Sequence, residues 1–343
     1  MKEIIKRLCV DRGMSGQETE MYEIVRELLS GTAEVTCDKA GNIIAVMGDE
    51  LAEKHIMLDA HADRIGLIVS YINNEGFIKA EPVGGIDLRT LPGSAVSVLG
   101  KETVTGIICT MPPHLSKGDD ELSKDSIWID TGLAADEVRK IISLGDSVLV
   151  RSEWRELLNG NIAISALDNR AGCAVLIACA RKLKAMGLHQ TMPCKLSLVF
   201  SVQEETSETG AAAAAYALSP NEAVVVDVGF ADQDGVPSEK SGKIGCGAII
   251  SISPVLSKAV TDKIMETAKR IGMECDYEVT GGATGTNADK IAAARSGIPT
   301  GVISVPEKNM HTQVEMVSLH DMEKVAELLA AYVAEGGAVN AGL

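Results

Sequence analysis

Aromatic residues make up only 3% of the 343 residues, which leaves few rings for stacking against sugars. Cysteines are present, but none stands at C-x-x-C spacing. Cys9, Cys37, Cys109, Cys173, Cys179, Cys194, Cys246 and Cys275 are dispersed. Several lie in apolar runs such as 173–179, where a free thiol acts as a small core hydrophobe. That usage fits a reduced, cytoplasmic setting and not a disulfide framework. No apolar run reaches the roughly 20 residues that span a bilayer, so no membrane partner is expected. The amphipathic start Met1-Lys2-Glu3-Ile4-Ile5-Lys6-Arg7-Leu8 has no apolar h-region or cleavage site. It reads as mature helix and not as a signal peptide. Basic charge is also short: the net charge of −16 argues against nucleic-acid binding, which needs clustered Lys and Arg.

What remains is ordinary for a soluble globular chain, with 46% hydrophobic and 23% charged residues. The length suffices for a catalytic domain plus a smaller one. Ser15-Gly16-Gln17-Glu18 has the form of a capping box ahead of a helical pattern through Met21, Val25 and Leu28. Strands are expected at 33–37 and 42–47, and a buried one at 55–60 delivers His61-Ala62-Asp63. From 66 to 160, short β-like runs at 67–72, 77–80, 95–99, 104–109 and 147–151 alternate with Gly and Pro turns. A polar loop covers 112–125 and a short helix 135–143. Beyond 160, helices (170–186, 211–218, 257–271, 287–295, 319–334) alternate with strands (196–202, 223–227, 300–305). The fold class is therefore α/β, a sheet with helices on both faces. Residues 1–65 and 161–343 form a discontinuous catalytic domain around an inserted β-rich domain, 66–160.

Five segments put metal-type ligands at the ends of buried strands or beside helix starts: His61-x-Asp63, Asp168, Glu204-Glu205, Asp227 and His311. Sites in open α/β sheets form beyond the carboxyl ends of strands. Two imidazoles with several carboxylates suit zinc or a similar divalent first-row ion, where an oxygen-only set would suit magnesium or calcium. Each piece has a plainer reading. Asp168 also serves as a helix cap, Glu204-Glu205 as a solvated pair, Asp227 as a turn residue and His311 as a loop histidine. The conjunction, in this order, is far more specific than any member.

The order His-x-Asp, Leu-Asp-Asn-Arg-Ala-Gly, Gln-Glu-Glu, an aspartate after a β-run and a late histidine resembles the co-catalytic two-metal metallopeptidases. It is most similar to the tetrahedral aminopeptidase family, which includes glutamyl and deblocking aminopeptidases and proteins formerly labelled endoglucanases. The resemblance covers nearly the whole chain. It includes Pro82-Val83-Gly84-Gly85-Ile86-Asp87, Pro112-Pro113-His114, Gly297-Ile298-Pro299-Thr300-Gly301-Val302 and His311-Thr312-Gln313-Val314-Glu315.

The resemblance implies a metalloaminopeptidase that hydrolyses the first peptide bond of substrates with a free amino terminus. It implies two divalent ions per subunit, zinc or cobalt, sharing a water. Asp168 would bridge them, His61 and Asp227 would complete one shell, and Glu205 and His311 the other. Glu204 would be the general base and Asp63 would fix the His61 tautomer. Because neighbouring side chains diverge on an extended segment, Glu204 and Glu205 require a bend between them. The resemblance further implies a homo-oligomer, up to a dodecamer, assembled through the inserted domain. Arg64, Thr206-Ser207-Glu208-Thr209-Gly210 and Asn287 depart from the usual pattern. Arg64 either approaches an acidic substrate side chain or forms a local ion pair. Two other readings remain: a glycoside hydrolase working through a carboxylate pair, and a non-catalytic family member.

Overall fold

The computed structural model describes residues 1–10, 12–112, 114 and 127–338. Of the expected polar loop, Pro113 and residues 115–125 lie outside the described residues. From the amino terminus, α1 (Lys2–Leu8) and α2 (Met21–Leu28) precede a hairpin of β1 (Glu34–Cys37) and β2 (Ile43–Met47), then β3 (His55–His61). Next come β4 (Gly66–Ile72), β5 (Ile78–Val83), β6 (Ala95–Leu99), β7 (Thr103–Ile108), β8 (Trp128–Asp130), α3 (Ala135–Ile141) and β9 (Ser147–Val150). The chain continues through β10 (Arg155–Glu156) and β11 (Asn161–Ala163) to α4 (Leu167–Ala185), β12 (Lys195–Ser201), α5 (Glu204–Ser207), α6 (Thr209–Leu218) and β13 (Glu222–Phe230). It finishes with β14 (Ala248–Ile252), α7 (Lys258–Arg270), β15 (Cys275–Val279), α8 (Ala288–Ala292), β16 (Thr300–Lys308), β17 (Met316–Ser318) and α9 (Leu319–Ala334).

The large sheet runs β1-β2-β12-β3-β13-β16-β17-β11-β10, with β14 pairing β16 and β15 pairing β14. Its centre, β12, β3, β13 and β16, is parallel. Strands covered on both faces must be apolar nearly throughout. Six of the seven residues of β3, six of seven in β12 and eight of nine in β13 are accordingly buried. One face carries α1, α2, α4, α7 and α9, where Leu176, Ile177, Leu328 and Leu329 meet Ile56, Leu58 and Val226. The other carries α6 and α8, whose small residues Ala211, Ala214, Ala215 and Ala288 lie close against Met57, Val199 and Val225. The α/β class with helices on both faces is thus the observed one.

The strands from β4 to β9 close into a separate barrel, in the order β4-β5-β8-β7-β6-β9, around Val69, Ile78, Val96, Val98, Ile129 and Val148. Arg155–Glu156, which the sequence places in the inserted unit, pairs with β11 in the large sheet. No helix among the described residues is long and apolar enough to cross a membrane.

Two local expectations are corrected. The capping box at Ser15–Glu18 does not form, since α2 begins at Met21. Instead Ser15 Oγ lies 3.0 Å from Thr206 Oγ1, and Glu18 Oε1 accepts from the Gln203 amide at 3.1 Å. These polar groups tie the amino-terminal segment to the turn after β12. The second correction concerns β14 and β15, which the sequence reading leaves unassigned. Edge strand β15 alternates too weakly to be recognised, its residues being exposed or only half-buried.

Arg170, fully buried in α4, donates to the carbonyl oxygens of Leu8 at 3.0 Å and of Arg12 and Gly13 at 3.2 Å. It anchors the amino-terminal segment behind Asp168. Arg170→Met removes charged donors from buried carbonyls, and hydrogen bonds of that kind contribute about 1.5–3 kcal/mol each. Chemical denaturation is expected to show a loss of at least ~2 kcal/mol. An unchanged midpoint would refute the anchoring role.

Candidate metal centre

The carboxyl ends of the parallel strands converge. β3 ends on His61, β12 runs into Glu204-Glu205, β13 carries Asp227, and the segment after β16 carries His311. Asp168 enters from the start of α4, where its φ of −77° and ψ of 106° keep it out of the regular helix. The bend required after β12 is present. Gln203 adopts a left-handed φ of 59°, and Glu204 opens the single turn α5. Both glutamates therefore face the cluster instead of diverging.

His61 Nε2 lies 3.1 Å from Asp168 Oδ1 and 3.8 Å from both Glu204 Oε2 and Asp227 Oδ1. On the other side, His311 Nε2 lies 3.1 Å from Asp168 Oδ2 and 3.5 Å from Glu205 Oε2. The two oxygens of Asp168 thus face two different imidazoles. Potential ligand atoms fall into two groups sharing that residue, His61–Asp168–Asp227 and Asp168–Glu205–His311, each within 4.8 Å. All seven side chains singled out in the sequence come together here.

Asp63 does more than the sequence suggested. It approaches His61 Nδ1 at 3.3 Å, a long and poorly aligned contact. Its two oxygens also accept the backbone amides of Glu204 and Glu205, each at 3.1 Å. One carboxylate thus orients an imidazole and holds the turn that presents both glutamates.

Three contributors were missed. Glu315, seen in sequence only as part of a motif, accepts the amides of Leu167 at 2.7 Å and Asp168 at 3.3 Å. The Gly85 carbonyl, from the loop after β5, lies 3.0 Å from His311 Nδ1. A Cβ on Gly85 would stand 2.8 Å from that same nitrogen, so only glycine permits the approach. Glu307, on β16, is buried with neither carboxylate oxygen partnered among the described residues. No local pattern distinguishes these three: the partners of Glu315 and Gly85 are remote in sequence, and Glu307 is marked only by its burial.

The departures from the family pattern sort themselves by position. Arg64 is buried and donates to Ser165 Oγ at 2.9 Å, and its charge bears on Glu315. It is absent from the described lining of the cavity beside the ligands, and its hydrogen-bond partner is a hydroxyl and not a carboxylate. Asn287 donates to Asp59 Oδ2 at 2.8 Å and Ser201 Oγ at 2.9 Å, behind the ligand cluster.

The electrostatics state the problem that this site poses. Burial, reinforced by the Asp168 charge, pushes the Glu205 carboxyl well above its ordinary range. Burial does the same to Asp227, partly offset by His61. Glu204 is raised to about 7 by burial, with Asp168 and Asp63 adding to the shift. Burial opposes charging His61, but Glu204, Asp168 and Asp63 outweigh it and hold its pKa well above 6.5. Each Nε2 therefore faces carboxylate oxygens, and acceptor facing acceptor is stable only with a proton or a cation between them. The Asp168 and Glu205 carboxylates likewise raise His311 to about 9, and with Nδ1 donating to Gly85 its Nε2 is the position that a proton or a cation would share with Asp168 and Glu205. This donor chemistry fits divalent metal.

A cavity of about 270 Å³ opens onto His61, Asp168, Glu204, Glu205, Asp227 and His311. A larger cleft of about 1290 Å³, lined by Lys243, Lys269 and Lys324 among others, contains none of these ligands.

Comparison with known proteins agrees with this geometry. The M42 glutamyl aminopeptidase family matches residues 41–328. A lysyl aminopeptidase of Pyrococcus furiosus is 29% identical, over 97% of this chain and 96% of its own. The crystal structure of a TET aminopeptidase from the marine sediment archaeon Thaumarchaeota archaeon SCGC AB-539-E09 superposes with a TM-score of 0.91. It is 28% identical, covering 97% of this chain and 96% of that one. The Pyrococcus horikoshii TET1 peptidase, described as assembling into a tetrahedron or a large octahedral shell, has a TM-score of 0.86 and 30% identity. That match covers 97% of this chain and 99% of the other. With the family matching most of its length, the chain belongs to the M42 glutamyl aminopeptidases, a metallopeptidase family, and is a hydrolase acting on peptide bonds.

Proposed function

We propose that this aminopeptidase is metal-dependent and removes the first residue from peptides with a free amino terminus, using two divalent ions, zinc or cobalt. The observation carrying this reading is Asp168, whose two oxygens each stand 3.1 Å from a different imidazole Nε2. In the proposed assignment Asp168 is the shared ligand. His61 and Asp227 complete one site, and Glu205 and His311 the other. Ions held by these residues would supply Lewis-acid chemistry, lowering the pKa of a water and polarising the scissile carbonyl.

The protein's own groups do the rest. Glu204, raised to about 7, is suited to take a proton from the attacking water and return it to the leaving amine. Asp63 keeps the His61 ring and the Glu204-Glu205 turn in register, so base and ligand share one support. Glu315 braces the backbone that presents Asp168. The α-amine of the substrate would lie against the carboxylates at the cavity mouth, which restricts cleavage to chain ends.

We divide the chain into a catalytic domain, 1–65 and 161–343, and an inserted unit, 66–160, that mediates self-association. A TET1 relative assembles into closed shells, and a homo-oligomer, with the dodecamer as its full form, follows by likeness. Light scattering should give a mass several times that of one chain, and a monomer at micromolar concentration would reject the assembly. Eight free cysteines suit a reducing compartment, and we place the protein in the cytoplasm.

Two substitutions separate the roles. Glu204→Gln should lower kcat on an aminoacyl anilide by roughly 10²–10⁴-fold, the usual contribution of a general base. Elemental analysis should find its metal content unchanged, and activity near that of the unsubstituted enzyme would rule out the base. Asp168→Ala should lose at least one ion per chain together with turnover. Retention of both ions would refute the bridging assignment. Chelation should abolish release from free-amine substrates and leave amino-blocked ones, never cleaved, unaffected.

A further inference from the structure

The cavity beside the ligand cluster continues across the sheet, from Val228, Gly229 and Phe230 of β13 past Ser304 of β16 and Ser251 of β14 to Glu278 of β15. Thr284, Thr286 and Met310 form the rest of its walls. Beyond the ligand cluster, Glu278 is the one charged side chain among its described lining residues, and no lysine or arginine lines it. The wall opposite the proposed metals is therefore acidic at one point and otherwise hydroxylic or apolar.

The strand register sets the distance. Asp227 pairs with Ser304, Ser304 with Ile249, and Ser251 with Glu278. Three inter-strand spacings of about 4.8 Å, with the two-residue step from Ile249 to Ser251 along β14, put the Asp227 and Glu278 backbones roughly 16 Å apart. The two acidic side chains, a metal and the substrate α-carbon fill part of that span. The remainder suits a long, unbranched side chain with a positive end. Lysine and arginine have such stems, and they lay the methylenes along apolar surface while keeping the charge at the tip. Phe230, Val228 and Met310 supply the apolar surface.

Glu278 stands directly across from Ser251 in the β14–β15 register. Burial pushes its carboxyl upward, and Ser251 and the exposed Lys240 draw it back. Lys240 approaches without lining the cavity. A cationic side chain inside would compensate the same burial from the substrate side. An acidic side chain would meet Glu278 as a like charge.

We propose that Glu278 selects substrates whose amino-terminal residue carries a cationic side chain. This deepens the aminopeptidase reading of the site and rests on it. Its test combines turnover with binding, so that the two ideas can fail separately. On metal-replete protein, kcat/KM is measured for lysyl, arginyl, leucyl and glutamyl p-nitroanilides, and calorimetry compares free L-lysine, L-norleucine and L-glutamate. Lysyl and arginyl substrates should exceed leucyl by about tenfold or more, the factor expected for one partly desolvated charge pair, with glutamyl poorest. Glu278→Gln should lower the lysyl-to-leucyl ratio by about tenfold, and Glu278→Lys should favour glutamyl substrate over lysyl. Calorimetry should show L-lysine binding tighter than L-norleucine, with the difference lost in Glu278→Gln.

Best cleavage of leucyl or glutamyl substrate by the unsubstituted enzyme, or ratios unmoved by both substitutions, would overturn the proposal. A lysine preference in calorimetry with no anilide cleaved would sustain the pocket and overturn the peptidase reading. Cleavage without any preference would do the reverse.

Discussion

The fold is organised around the compensation of crowded, buried negative charge. Asp63, Asp168, Glu205, Asp227, Glu307 and Glu315 gather with Glu204 near His61 and His311, with Arg64 as the cation that bears on Glu315. Removing that many carboxylates from water is costly unless each is protonated, hydrogen-bonded or balanced by a cation. Different members meet the demand differently. Asp63 and Glu315 are satisfied by backbone amides. Burial, with Glu315 and Asp168 adding like charge, pushes the Glu307 carboxyl well above its ordinary range and so favours its neutral form. Apart from the Val228 amide on Asp227, Asp168, Glu205 and Asp227 face imidazoles and other carboxylates among the described residues. The case for a bound cation rests on those three, not on the histidines alone.

A rigid scaffold is the other half of that constraint. Four parallel strands buried on both faces cannot shift without disturbing two helical layers, so their carboxyl ends form a fixed rim. Asp63 transfers that rigidity from β3 to the turn after β12, gripping two consecutive amides. Glu315 does the same for the entry of α4. The amino-terminal segment reinforces both from outside, through Glu18 on Gln203 and Arg170 on three carbonyls. Crowding like charges tends to push such a site apart, and these braces resist it.

How much of this was legible in the sequence depended on how local each signal was. The ligands at the ends of β3 and β12 were readable because an apolar run that stops at a charged residue marks where a strand leaves the core. Asp227 stood out only as the charge after the apolar run 224–226, and β13 continues beyond it to Phe230. The helix 319–334 was recovered to the residue because its apolar period is sustained over four turns. Strand β15 was invisible because its solvent-facing side chains Tyr277 and Val279 are as apolar as core residues. Ser15 and Glu18 misled for a related reason. Their spacing matched a helix cap, while their real partners, Thr206 and Gln203, lie almost two hundred residues downstream. Glu307 and Glu315 were passed over because a carboxylate bound to backbone, or held neutral by burial, has no sequence pattern at all.

The Gly85 carbonyl ties the barrel unit to the candidate metal centre. That oxygen sits on the loop leaving β5, in the inserted segment, and it faces His311 Nδ1 at 3.0 Å. A carbonyl can only accept, so Nδ1 carries a proton, and with a cation bound Nε2 would present its lone pair to Asp168 and Glu205. His311 itself adopts a left-handed φ of 62° at the tip of a connection, a conformation that its own backbone does not favour. The ring orientation is therefore imposed from across the boundary between the two units. A displacement of the barrel by a single hydrogen-bond length would free the tautomer, so placement of the inserted unit and competence of the metal centre form one structural problem.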